Sequence, residues 1–185
     1  MQYDPVKRQL GSVFNRSPFL RKVFYGMLDL LLLRAWHVHK ELRVWVKKVR
    51  DVKDVRIYDA GAGYGQYTYW LSGFNTDWRI TALDVKDEQV ADCNDFFRSI
   101  GRPNVTFEVG DVTKYTNPGA FDLVVCVDVM EHILEDEAAL RCYSTSLKPG
   151  GMLIISTPSD QGGSDVHDEG EGSFIEEHVR DGYNI

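Results

Sequence analysis

The stretch VRIYDAGAGYGQYTYWLSG, residues 55–73, places three glycines at alternate positions between an apolar run and an aromatic one. The apolar run 55–60 is typical of a buried strand, and the segment 66–72 predicts a helix. Glycine allows positive φ angles and lets a ligand approach the backbone without a Cβ in the way. The helix start that follows offers free N–H groups to such a ligand. The stretch therefore predicts a strand, a ligand-binding loop and a helix in succession.

The charge of the chain is distributed unevenly. The 185 residues carry a net charge of −7 and are 43% hydrophobic, which fits one folded domain. Residues 1–53 hold 12 Lys and Arg against 4 Asp and Glu, whereas residues 54–185 hold 9 against 24. The front segment is therefore basic (+8) and the body acidic (−15), and so acidic a body argues against nucleic-acid binding.

Cysteine usage bears on the compartment. Cys93, Cys126 and Cys142 are odd in number and lack CxxC spacing, and no secretory signal is visible. These features predict reduced thiols and a cytoplasmic protein.

From residue 54 onward, predicted strands and helices alternate at short spacing. The strands are 55–60, 79–84, 104–111, 121–128 and 152–158, and the helices are 66–72, 87–101 and 132–147. Such alternation predicts βαβ units and an α/β fold with a doubly wound, mainly parallel sheet covered by helices on both faces. The residues 148–151, KPGG, are interpreted as the turn into the last of these strands.

The basic segment 1–53 is predicted to be a helical extension, with two helices or one bent helix between residues 18 and 50. Three roles are open for it: a lid over a substrate, docking on the acidic body, or contact with a membrane surface through its aromatic and basic residues. His37 and His39 are interpreted as solvent-facing residues of these helices.

Four acidic residues lie at or near the ends of four predicted strands: Asp59, Asp84, Asp111 and Asp128. Ligands of open parallel sheets bind at the carboxyl ends of the strands. A dinucleotide site uses GxGxxG, but the third glycine of that motif is replaced here by Gln66. S-adenosylmethionine has different needs, because its ammonium suits an acid near the loop and its ribose suits an acid such as Asp84.

Five segments resemble motifs of the class I S-adenosylmethionine-dependent methyltransferases, in the family's order and spacing. They are YDAGAGYG (58–65), ALDVKDE (82–88), VGDVT (109–113), FDLVVCVDVMEHI (121–133) and LKPGGMLIISTP (147–158). The match covers about residues 55–158 of the body, 54–185. The resemblance implies a sheet of seven strands, of which only five are predicted here, so we expect the last strands to be missing from this chain.

The resemblance also implies an activity and a set of cofactor residues. The activity is transfer of a methyl group from S-adenosylmethionine, leaving S-adenosylhomocysteine, to an O, N or C nucleophile of a small-molecule substrate. The implied cofactor-binding residues are Asp59, Ala60, Gly61, Ala62, Gly63, Tyr64, Gly65, Asp84, Val85, Asp111, Val112 and Asp128. Asp84 is expected to bind the ribose, and Asp111 with the Val112 amide the adenine. A helix cap for Asp84 and a turn-forming role for Asp111 remain alternatives.

The segment DVMEH, 128–132, has two interpretations. Asp128, Glu131 and His132 are spaced to share one face if the segment is helical, where Asp128 and His132 would be the catalytic residues facing the reacting end. His132 or His178 would then serve as a general base. Alternatively, Asp128, Glu131, His132 and His178 would bind a divalent metal, as similar segments do in some relatives.

The sequence leaves two rival functions open. One is a non-catalytic member of the fold that binds the cofactor or a partner. The other is an NAD-dependent oxidoreductase, which Gln66 and the acids that follow the third and fourth predicted strands disfavour.

Overall fold

The computed structural model describes residues 17–159, 179, 182 and 183. Two helices come first, α1 (Pro18–Leu31) and α2 (Leu33–Val49). Ser17 caps α1, because its hydroxyl accepts a hydrogen bond from the Phe19 amide at 3.2 Å. Leu32 is extended (φ −96°, ψ 110°), so the segment forms two helices rather than one bent helix.

Five strands and three further α-helices follow. In chain order they are β1 (Arg56–Ala60), α3 (Gln66–Ser72), β2 (Arg79–Asp84), α4 (Asp87–Ser99), β3 (Val105–Val109), β4 (Phe121–Val127), α5 (Asp136–Ser146) and β5 (Leu147–Ser156). One turn of 3₁₀ helix (Met130–His132) lies between β4 and α5.

The sheet has the order β3-β2-β1-β4-β5, and all of its neighbouring strands are parallel. The order reverses at β1, which pairs with β2 on one side and β4 on the other. Asp59 of β1 lies opposite Ala82 and Val125 in the two registers. The predicted doubly wound parallel sheet is therefore confirmed, and its switch point lies beside the glycine loop.

Both faces of the sheet are buried. Ile57 of β1 packs into a cluster with Leu42 and Trp45 of α2, whereas its neighbour Tyr58 packs on the other face with Tyr143 of α5. Successive residues of a strand point to opposite faces, so a strand covered on both sides must be apolar throughout. This requirement explains the continuous apolar run of β4.

Two predicted boundaries were wrong. The helix predicted for 132–147 begins at residue 136, because Ile133 is extended and the acidic first turn of Asp136 and Glu137 marks the real helix start. The last strand begins at Leu147 instead of 152, because the 148–151 segment continues along β4 with a register irregularity between Phe121 and Leu123.

The assignment of His39 to solvent was also wrong. His39 is 3% exposed because α2 docks on α3, where its ring stacks on Trp70 at 4.7 Å; His37 is exposed as predicted. The three cysteines are unpaired and buried. Within the described part of the chain, no helix is both long and apolar enough to span a bilayer.

Candidate functional site at the carboxyl edge of the sheet

The loop between β1 and α3 is held closely by the strands on either side of it. Gly61, Gly63 and Gly65 all have positive φ angles, of 72°, 54° and 79°. A Cβ on Gly61 would overlap the Val129 side chain, and one on Gly65 would lie 2.7 Å from the Phe107 ring. Glycine at these two positions therefore serves close packing as well as the left-handed conformation.

Gly63 differs from the other two glycines, because a Cβ there would meet only the end of the Gln89 side chain, at 3.8 Å. Its amide donates to Asp84 Oδ2 at 2.9 Å, which ties the loop to the end of β2. The other Asp84 oxygen accepts from the Lys86 amide at 3.1 Å, just ahead of α4. A carboxylate can accept about four hydrogen bonds, so Asp84 keeps acceptor capacity for a ligand.

Asp59 lies under the loop and is 3% exposed. Its carboxylate accepts a hydrogen bond from the Thr68 hydroxyl at 2.6 Å, which links β1 to α3. Burial raises the pKa of Asp59 to about 6, although the Thr68 hydrogen bonds oppose the shift. No cation pairs with this carboxylate among the described residues, so the site favours a proton or a cationic ligand group there.

Asp111 forms a turn after β3. Its Oδ1 accepts from the Thr113 amide at 2.9 Å and hydroxyl at 2.7 Å, and its Oδ2 from Lys114 Nζ at 2.8 Å. The Lys114 and Thr113 hydrogen bonds lower the pKa of Asp111 to about 2. These contacts give the turn-forming alternative direct support and leave the adenine role a prediction.

The Val112 amide is different, because it has no hydrogen-bond partner within residues 17–159. The Val112 side chain is buried beside Leu83, so the backbone at this point is fixed. A fixed, unpaired N–H at the carboxyl edge of the sheet is a hydrogen-bond donor available to a ligand.

Arg21 and Tyr25 of α1 hold the glycine loop from above, and sequence reasoning missed both. Arg21 is 3% exposed and donates to the Tyr64 carbonyl at 3.0 Å and to the Asp92 carbonyl at 3.3 Å. The Tyr25 hydroxyl donates to the same Tyr64 carbonyl. The signal available in the sequence was the spacing of these two residues, since a separation of four places Arg21 on the same inward face of the helix as Tyr25.

The end of β4 is arranged less tightly. Asp128 has a positive φ of 55°, and its Oδ2 lies 2.7 Å from Arg34 Nε of α2. Glu131 is buried and accepts from the Thr157 hydroxyl at 3.1 Å, whereas His132 is exposed. The 3₁₀ turn begins after Asp128, so the expected single face with Asp128, Glu131 and His132 was wrong.

This arrangement bears on the metal alternative. The described ranges contain no group of three or more His, Cys, Asp and Glu side chains that could hold a metal ion. His178, the fourth proposed ligand, lies outside the described residues. Asp128 and His132 keep their catalytic assignment as a prediction.

A cavity of about 500 Å³ opens near Arg79 and Asn104. These residues lie at the amino ends of β2 and β3, away from the glycine loop. Parallel sheets bind ligands at the carboxyl ends of their strands, so this cavity is not part of the candidate site.

Comparison with known families gives a match over half of the chain. Residues 57–151 match the family model described as a methyltransferase domain. A ubiquinone biosynthesis O-methyltransferase of Xanthomonas campestris is 31% identical over 106 residues, which are 55% of this chain and 42% of that protein. An uncharacterized protein of Synechococcus is 26% identical over 167 residues, which are 88% of this chain and 40% of its own length. The chain thus spans less than half the length of these two relatives.

Solved structures share the fold. The [4+2]-cyclase SpnF superposes with a TM-score of 0.56 at 29% identity and covers 63% of this chain and 44% of its own. The YcgJ protein of Bacillus subtilis gives a TM-score of 0.57 at 24% identity, over 65% of this chain and 52% of its own.

Proposed function

We propose a function on one premise: this chain belongs to the methyltransferase-domain family, whose cofactor is S-adenosylmethionine. In this proposal the carboxyl edge of β1, β2 and β3 binds the cofactor. The end of β4, with the helices α1 and α2 above it, receives a small-molecule methyl acceptor. The chain is then a methyltransferase in its own right.

The observation that carries the proposal is the set of free hydrogen-bonding groups at this edge. Asp84 keeps acceptor capacity beside the open face of Gly63, and the Val112 amide has no partner within residues 17–159. A ribose supplies hydroxyl donors for the first group, and an adenine supplies a ring-nitrogen acceptor for the second. The groups therefore fit the cofactor's nucleoside half.

Asp59 fits the cofactor's other half. Its buried carboxylate has a raised pKa and no cationic partner in the described chain. The amino-acid end of S-adenosylmethionine carries an ammonium, which would offset the cost of the buried negative charge directly or through water. We therefore assign Asp59 to the recognition of that ammonium.

The family's cofactor supplies a methyl group activated on a sulfonium, and the protein's task is alignment of the acceptor and exclusion of water. Asp128 and His132 follow β4, next to the switch point of the sheet. Asp128 is held by Arg34 and is assigned to acceptor positioning. His132 is exposed and is assigned to accept the proton of an acceptor hydroxyl.

The helices α1 and α2, within the basic segment 1–53, are proposed to form one wall of the acceptor space. Arg34 pairs with Asp128, and Gln66 Nε2 at the start of α3 donates to Asp29 Oδ1 at 2.5 Å. These contacts favour the lid and docking interpretations of the basic segment over contact with a membrane.

The acceptor is proposed to be a small molecule with a hydroxyl nucleophile. The Xanthomonas relative is named an O-methyltransferase, which favours oxygen over nitrogen or carbon. The acidic body, at −15, does not favour nucleic acid. The unpaired, buried cysteines fit a reducing compartment, and we place the protein in the cytoplasm.

A second candidate function is cofactor binding without methyl transfer. The neighbour SpnF, with a TM-score of 0.56, is named a [4+2]-cyclase, so the fold supports other chemistry. Turnover separates the two functions, because a binder forms no S-adenosylhomocysteine in the presence of any acceptor.

The experiment is a calorimetric titration of the chain with S-adenosylhomocysteine, with NAD as the control ligand. We expect a dissociation constant of about 1–100 μM for the first, within the usual range for enzyme ligands, and no binding of NAD. Asp84→Asn should weaken binding about tenfold, since it removes a charged acceptor. Asp87→Asn is the matched control, because Asp87 is an exposed acid three residues further along, at the start of α4. NAD binding, or equal affinity in both variants, would contradict the proposal.

A further inference from the structure

A second cleft lies where α1 and α2 meet α3. It has a volume of about 310 Å³ and is lined by Asp29, Trp36, His39, Arg43 and Trp70. Trp70 follows Gln66 by four residues, which places it about 6 Å further along α3 than the start of that helix. The lining contains none of the proposed cofactor residues, and Asp29 connects the cleft to the start of α3 through its hydrogen bond from Gln66.

His39 brings a buried nitrogen without a hydrogen-bond partner to this cleft. The residue is 3% exposed, and its Nε2 has no hydrogen-bond partner among the residues that the structure describes. Asp29 Oδ1 lies 3.7 Å from it, which is too long for a hydrogen bond. Burial lowers the pKa of His39, so the neutral ring can donate or accept at this nitrogen. A buried nitrogen of this kind is costly unless a ligand or water satisfies it.

The aromatic rings of the cleft are held in place. Trp36 is 54% exposed, and its Nε1 donates to the Asp29 carbonyl at 2.6 Å, which fixes the orientation of an open indole face. Trp70 is packed by the His39 ring on one side and by Phe74, whose ring centroid lies 4.5 Å away. Exposed, oriented indoles are good stacking surfaces for planar ligands.

The cleft also holds one charge of each sign. The Arg43 guanidinium lies 5.7 Å from the Trp70 ring centroid and has no ion pair within the described ranges. The Asp29 side chain is 30% exposed, and its Oδ1 accepts a hydrogen bond from Gln66 Nε2. A guanidinium is the preferred partner of a carboxylate. Asp29 and His39 together suit a hydroxyl, which donates a hydrogen bond to the Asp29 carboxylate and accepts one from His39 Nε2–H.

We propose that this cleft binds a small planar aromatic carboxylate with a ring hydroxyl. The ring stacks on Trp36, the carboxylate pairs with Arg43, and the hydroxyl lies between Asp29 Oδ1 and His39 Nε2. A volume of about 310 Å³ suits one ring or two fused rings. This site goes beyond the proposed methyl transfer, because it uses none of the residues assigned to the cofactor and neither Asp128 nor His132.

The test is a calorimetric titration with 6-hydroxy-2-naphthoate, with 2-naphthol as the ligand that lacks the carboxylate. We expect saturable binding of the naphthoate at one site and at least tenfold weaker binding of the naphthol. Arg43→Gln should weaken the binding of the naphthoate by the same factor of about ten. Lys47→Gln is the matched control, because Lys47 is an exposed base one turn further along α2 that does not line the cleft. It should bind the naphthoate as the unmodified chain does.

A second variant tests the buried nitrogen. His39→Phe keeps an aromatic ring against Trp70 but removes Nε2, and it should weaken the hydroxynaphthoate about fivefold while leaving 2-naphthoate, without the hydroxyl, unaffected. The absence of saturable naphthoate binding, equal affinities in Arg43→Gln and Lys47→Gln, or displacement of the naphthoate by S-adenosylhomocysteine would overturn the proposal. S-adenosylhomocysteine affinity, measured in parallel, reports on the proposed function independently.

Discussion

The loop after β1 and the segment after β4 are neighbours at the carboxyl edge of one sheet, yet they are held by different kinds of contact. The loop is fixed largely through backbone groups: the Gly61 and Ala62 amides both donate to the Leu83 carbonyl, at 2.8 and 2.9 Å. The segment after β4 has one backbone bond to β5, from the Asp128 amide to the Ser156 carbonyl at 2.9 Å, and adds side-chain contacts from distant elements, such as Arg34 on Asp128 and Thr157 on Glu131.

This difference separates what a short motif encodes from what the tertiary fold encodes. Backbone contacts in the loop depend on glycine at fixed positions, so changes there should cost stability and cofactor affinity together. The β4 segment depends in part on the ion pair of Arg34 with Asp128, which is half-exposed and therefore contributes little on its own. Mutations in the two regions should therefore differ in size and in what they affect.

Gly61→Ala should have the largest effect. The added Cβ overlaps Val129 and must adopt a positive φ of 72°, so we expect a loss of about 3 kcal/mol in the free energy of unfolding. Urea denaturation measures it. Gly119→Ala is the control, because Gly119 has a φ of 60° but open space around its Cβ position, and it should lose only about 1 kcal/mol. Equal losses in the two variants would show that the packing of the loop on Val129 contributes nothing to stability.

Asp59→Asn should have the opposite effect and raise the free energy of unfolding at neutral pH. Its folded pKa of about 6 lies above the ordinary value of 3.8, so the folded state binds the proton more tightly than the unfolded state. The unfolding free energy of the unmodified chain should therefore fall as the pH rises from about 4 to 6, whereas the variant lacks this loss. At pH 7.5 we expect the variant to be more stable by about 2 kcal/mol.

The same variant should bind S-adenosylhomocysteine about tenfold more weakly, because it removes the partner of the ammonium. Thermal unfolding at pH 4, 6 and 7.5, together with calorimetry, checks both effects. A stability difference that grows toward low pH would show that the Asp59 carboxylate is not destabilised by its burial.

Arg34→Gln should have the smallest effect. The Arg34 side chain is 50% exposed, so loss of its ion pair with Asp128 should cost less than about 1 kcal/mol. Arg141→Gln, which removes the exposed pair with Glu137, is the control. We expect Arg34→Gln to lower methyl transfer while S-adenosylhomocysteine affinity stays unchanged. A loss of cofactor affinity equal to that of Asp84→Asn would mean that the two regions are not separable.

The elements that could be predicted from the sequence were those with a local signal. The β1 and β4 strands are apolar and bounded by acids, and the helix after the glycines begins at Gln66 as predicted. The start of β5 could not be predicted, because KPGG is typical of a turn and becomes strand only through its pairing with β4. His39 was placed in solvent because its burial depends on Trp70, a residue of another helix.

The site shows the same division. The position of Asp84 at the end of β2 was predicted from the sequence, but its hydrogen bond from the Gly63 amide was not. Arg21 and Tyr25 reach the Tyr64 carbonyl from a helix far away in the sequence, and no local pattern encodes that contact. The opposite orientations of Glu131 and His132 likewise follow from a 3₁₀ turn that spacing alone does not distinguish from an α-helix.

The most direct test of the central assignment is amide hydrogen exchange with and without S-adenosylhomocysteine. Exchange reports the protection of individual backbone amides, including that of Val112. We predict slower exchange on ligand addition at residues 61–65, 84–86 and 111–113, and unchanged exchange at residues 36–43 of α2, which line the second cleft. Protection that skips the glycine loop and Val112, or that appears at 36–43 instead, would contradict the assignment of the cofactor to the carboxyl edge of β1, β2 and β3.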